Sequence, residues 1–86
     1  MNKYKRLINR ILSGSSDSNI NFGKLRELLI YYGFVERIKS SHHIYTREDI
    51  AEIINIQPKN GQGKPYQVKQ IRNIILKYKI GVNDNE

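Results

Sequence analysis

The chain has 86 residues and no cysteine, which suits one small domain and leaves no disulfide or thiolate metal site to hold it. Fifteen Lys and Arg against eight Asp and Glu give a formal charge of +7, a field that favours phosphate-bearing partners. The longest apolar run, Leu28 to Tyr32, is too short to span a bilayer, and Met1 to Arg10 lacks the apolar centre of a signal peptide, so the expectation is a soluble, cytoplasmic protein with no membrane partner.

Tyr4, Leu7, Ile8 and Ile11 recur at helical spacing within Lys3 to Leu12, while Lys3, Lys5, Arg6 and Arg10 fill the other face. Ser13 to Asn19 is polar and turn-forming and reads as a linker, making the first helix an appendage. The predicted organisation is therefore residues 1–20 as an N-terminal helix and serine-rich linker, 21–81 as the main domain, and 82–86 as a polar tail. Asn21 suits the N-cap of a second helix whose apolar stripe is Phe22, Leu25, Leu28, Leu29 and Tyr32, with Gly33 as its stop.

Phe34 to Lys39 and His42 to Thr46 are short, β-branched and aromatic, and read as a hairpin; a third strand fits Ile53 to Gln57. Lys59 to Lys64, with Gly61 and Gly63, reads as a flexible basic loop available to a phosphate backbone. It lacks the strand, spacing and hydroxyl residue of a P-loop. Pro65 suits the first turn of a last helix carrying Val68, Ile71, Ile74, Ile75 and Tyr78 on one face. The fold class is α+β: an α-β-β-β-α core with a three-stranded antiparallel sheet, two helices on one face, and an extra N-terminal helix.

The only histidines, His42 and His43, stand side by side on the middle strand and so point to opposite faces. If Ile44 is buried with Phe34, Ile38, Ile54 and Ile56, then His42 faces the helices. His43 and Tyr45 then join Val35, Arg37, Lys39, Asn55 and Gln57 on the open face. This needs Ile38 opposite His42 across a three-residue loop, with one serine strained, and it turns Glu36 inward, where it must find an edge or a cation. A two-residue loop would reverse the faces.

Histidine can exchange a proton near neutral pH, and RNA offers the proton of the 2′-hydroxyl beside each phosphate. Arg37 and Lys39 could hold that phosphate, and Tyr45 could stack on a base. Adjacent strand histidines diverge and no cysteine completes a ligand set, so neither a metal nor another cofactor is expected.

From Phe22 to Ile80 the chain resembles HicA-type toxins, the small mRNA interferases of type II toxin–antitoxin pairs, also called YcfA-like proteins. The resemblance rests on Tyr32-Gly33-Phe34 closing a helix, on Ser41-His42-His43-Ile44-Tyr45, on an apolar strand ending at Pro58, and on Ile71-Arg72-Asn73-Ile74-Ile75-Leu76-Lys77 in the closing helix. It implies a double-stranded-RNA-binding-like fold, metal-independent cleavage of mRNA, and neutralisation by a HicB-type antitoxin. His43 matches the family's catalytic histidine and His42 a replaceable supporting one. Arg37, Lys39, Ser41, Tyr45, Lys59 and Lys64 are the candidate RNA-binding residues.

Two features depart from the family. Ser40 stands where glycine is usual, and residues 1–20 extend beyond the compact core as a candidate contact for a second copy of the chain or for the antitoxin. The alternative function is a non-catalytic RNA-binding or regulatory module. A DNA-binding repressor is poorer, since neither helix carries a basic surface beside a helix-turn-helix partner.

Overall fold

The computed structural model describes residues 3–81; the predicted polar tail at 82–86 lies outside them. In chain order the elements are α1 (Lys5–Ser13), a 3-10 turn (Asp17–Asn19), α2 (Phe22–Tyr31), β1 (Val35–Lys39), β2 (His42–Arg47), β3 (Ile50–Ile56), β4 (Pro58–Lys59), β5 (Gln62–Gly63) and α3 (Pro65–Tyr78). β1, β2 and β3 form an antiparallel sheet in that order, and β4 and β5 a separate two-stranded ribbon. The fold is thus α+β, with a three-stranded antiparallel sheet and three α-helices. None of the described helices is long and apolar enough to cross a membrane.

The ends of α2 follow from its sequence. Asn21 Oδ1 accepts from the Lys24 amide at 2.9 Å, satisfying one of the donors a helix leaves open at its start. At the other end Gly33 has φ 91°, and the amides of Gly33 and Phe34 return to the carbonyls of Ile30 and Leu29. This paired closure needs a left-handed residue after the last turn, which glycine takes without steric cost. It turns Phe34 back into the core beside Leu29.

One apolar cluster unites all the layers. Tyr45, Ile54 and Ile56 from the inner sheet face meet Leu25, Leu28 and Leu29 of α2 and Val68, Ile71 and Ile75 of α3. Glu52 anchors β3 to α3, accepting from Lys77 Nζ at 2.8 Å and from the Tyr78 hydroxyl at 2.7 Å.

The first helix is not an appendage. Its Ile8 and Ile11 belong to the same cluster, with Ile11 fully buried. The serine-rich stretch holds a fastening that the reading as a linker overlooked. Arg72 of α3 donates to both oxygens of Asp17 at 2.9 and 3.1 Å and to the Ile11 carbonyl at 3.1 Å, closing the C-terminal end of α1 with a cation.

The predicted flexible loop at Lys59 to Lys64 is instead the β4–β5 ribbon. Asn60 and Gly61 both take positive φ, at 55° and 77°, as a tight two-residue hairpin turn requires. The ribbon is bound to the start of α2: the Phe22 amide donates to the Gly61 carbonyl and the Gly63 amide to the Ile20 carbonyl, each at 2.9 Å.

Replacing Ile11 by Ala should therefore cost about 2–5 kcal/mol in chemical denaturation, the usual range for emptying a buried aliphatic site. A helix that merely trails from the domain would give a change near zero.

Candidate functional site

The β1–β2 hairpin decides the site. Lys39 pairs with His42, leaving Ser40-Ser41 as a two-residue loop, and Ile38 stands opposite His43. The expected three-residue loop is thus corrected, and with it the facing of β2: His43 and Tyr45 point toward the helices, His42 and Ile44 toward the open face. β1 and β3 keep their expected faces, but Ile38, expected to be buried, is exposed on the edge strand. Ser40 accommodates the tight turn with φ 57°, a left-handed conformation at the position where the resembled family carries glycine.

On the helix side Glu36 finds its cation in α2. Arg26 Nε donates to Glu36 Oε2 at 2.8 Å and Nη2 to Oε1 at 2.9 Å, a two-pronged pair. The Tyr45 hydroxyl donates to Oε2 at 2.5 Å. Arg26 is the main cause that holds the Glu36 carboxyl down at about 2; burial opposes it and the Tyr45 bond assists. Burial foremost, then the adjacent carboxylate, push the Tyr45 phenol well above its usual range.

His43 completes this cluster. Its side chain is 14% exposed, with Nδ1 at 3.5 Å from Glu36 Oε2. The Phe22 ring lies 5.0 Å away, edge to face. A carboxylate beside Nδ1 favours the proton on that nitrogen and leaves the lone pair on Nε2. Nε2 has no hydrogen-bond partner among the described residues. The contact to Glu36 is long, as such orienting bonds commonly are before a substrate is bound.

His42 is held on both sides on the open face. Nδ1 lies 3.0 Å from Asn55 Oδ1, and Nε2 lies 3.3 Å from Gln57 Nε2. Gln57 also donates to Ser41 Oγ at 3.2 Å and accepts from Lys64 Nζ at 2.9 Å. Lys64 fixes which end of the Gln57 amide faces the histidine. The network is then satisfied by His42 with its proton on Nδ1, a tautomer assigned from its partners.

Of the candidate RNA-binding residues, Arg37, Lys39, Ser41 and Lys59 are exposed, and Lys64 is half-buried. Tyr45 is fully buried, so it offers no ring to a base; its role is to tie β2 to Glu36. Sequence reasoning missed Arg26 and Phe22 as parts of the site. The inward turn of Glu36 was the signal that could have led to Arg26. Among the described residues no three His, Asp or Glu side chains cluster in a way that could hold a metal ion.

No family model, curated protein or solved structure matches this chain.

Glu36 should make stability pH-dependent in a defined direction. Its folded carboxyl titrates at about 2 against an ordinary 4.5, so its contribution is complete above 4.5 and disappears as pH falls toward 2. With Arg26 36% exposed and solvent-screened, that contribution is about 1–2 kcal/mol. Glu36→Gln should be less stable than the parent by that amount at neutral pH in urea titrations, with the gap closing toward pH 2.

Proposed function

We propose that this chain is a metal-independent endoribonuclease of the HicA type, an mRNA interferase neutralised by a HicB-type antitoxin, with His43 as the group that takes up the proton. The observation that carries the reading is the largely buried histidine with an ionised carboxylate at Nδ1 and no hydrogen-bond partner for Nε2 among the described residues, in a chain of formal charge +7. The order of elements around the sheet is compatible with a double-stranded-RNA-binding-like core preceded by an extra helix, and a double-stranded-RNA-binding-like fold is part of the proposal.

In the proposed reaction Nε2 of His43 accepts the proton of a 2′-hydroxyl. The 2′-oxygen bonds to the adjacent phosphorus, the bond from phosphorus to the 5′-oxygen breaks, and the departing 5′-oxygen is protonated by solvent. The products are a 2′,3′-cyclic phosphate and a free 5′-hydroxyl. Glu36 stabilises the imidazolium formed in the first step, as a carboxylate does behind a catalytic imidazole. Arg37 and Lys39 are exposed cations on the open face with His42, across the sheet from His43, and Lys64 reaches His42 through Gln57, so these cations and the exposed Lys59 serve the flanking RNA backbone and not the phosphate at His43.

The one observation that favours a non-catalytic RNA-binding module is the engagement of both His42 nitrogens, which leaves a single histidine for proton transfer. The two readings separate in one assay, cleavage of a mixed RNA in the presence of a chelator. The nuclease reading expects His43→Ala to lose about 100-fold or more in rate, the low end of general-base contributions, and His42→Ala to lose far less. Equal rates for the parent and His43→Ala, or binding without cleavage by both, would contradict it.

A further inference from the structure

The strongest concentration of charge outside this site lies where α1 meets the start of α2. Lys3, Arg6, Leu7, Arg10, Asn21 and Lys24 line one shallow groove, with no carboxylate among them. All four cations are exposed. Between Lys3 and Ser16 the sequence holds no acidic residue, and the next one, Asp17, is occupied by Arg72. Nothing within the described residues therefore neutralises the groove from the α1 side.

The fold builds this surface deliberately in a physical sense. Burial of Ile8 and Ile11 turns the opposite face of α1 outward, and Arg10 Nη2 donates to the Asn19 carbonyl at 2.9 Å, holding α1 beside the segment that enters α2. Arg6 and Arg10 lie about one turn apart, roughly 6 Å along the axis, and so share one side of α1. Asn21 at its wall immediately precedes Phe22, whose ring packs against His43.

We propose that this groove is a phosphate-backbone site for single-stranded RNA. It rests on the RNA reading given above and assigns α1 a role in gripping substrate. Lys and Arg side chains of this kind suit contact with the phosphate backbone, which is independent of sequence. An acidic polypeptide is the competing occupant, and the RNA reading of the chain favours a phosphate chain over it.

The test uses the full chain carrying His43→Ala, so that bound RNA stays intact, and measures fluorescence anisotropy of a short labelled single-stranded RNA across a salt series. Arg6→Glu with Lys24→Glu should weaken binding at low salt by about 10-fold or more. It should also flatten the slope of log affinity against log salt by about 1.4, at roughly 0.7 per lost single-strand contact. Circular dichroism of the same variant should show the parent fold, since neither side chain is buried. Unchanged affinity and slope would overturn the proposal, as would poly-glutamate binding the parent as tightly as RNA does. Cleavage plays no part in this readout. RNA bound through the groove but never cut by the His43-containing chain would remove the nuclease reading alone. Normal cutting with unchanged binding in the double variant would remove the groove alone.

Discussion

The pair between Arg26 and Glu36 is the interaction on which the rest of the arrangement depends. It ties α2 to β1 across the inner face of the sheet, and its carboxylate then selects what β2 can place beside it. With Tyr45 inward, Glu36 gains a hydroxyl donor and the core gains a large fully buried ring. A slip of one residue would set Ile44 against the carboxylate and expose Tyr45, leaving a partly buried charge short of a donor. The same register that satisfies Glu36 carries His43 inward with Tyr45, two residues away on the same face. The orientation of the histidine is thus a consequence of satisfying a charge under a helix.

Much of the frame was legible in local signals. Asn21, Gly33 and Pro65 mark helix ends by chemistry that acts within a few residues, and each does so in the folded chain. The facing of β2 was not legible in the same way. His42-His43-Ile44-Tyr45 places one histidine and one apolar residue on each face, so alternation alone fits either register. What breaks the tie is Arg26, ten residues from Glu36 in sequence. Similarly, the serine-rich stretch looks like a linker until Asp17 meets Arg72, 55 residues away. Asn60-Gly61 was a readable hairpin signal, overlooked because its strands have only two residues each.

The distribution of charge follows from the same packing. Asp17, Glu36, Asp49 and Glu52 are each paired with a cation, and these are four of the six acidic residues within 3–81. These acidic groups are matched by cations, while further Lys and Arg remain at the surface of α1, the hairpin and the ribbon. The proposed cleavage of a polyanion draws on this basic exterior and on a histidine backed by an ionised carboxylate. The two histidines differ in their surroundings, with His42 held in a network of amides and His43 Nε2 without a partner among the described residues.

The most direct test of this account is the ring chemistry of His43, read by long-range nitrogen–proton correlation NMR at mildly alkaline pH together with ring-to-ring nuclear Overhauser contacts. The account predicts the His43 proton on Nδ1, a bare Nε2, and close contacts to Phe22. A proton on Nε2, or a His43 ring that contacts Asn55 and Gln57 on the open face instead of Phe22, would contradict it.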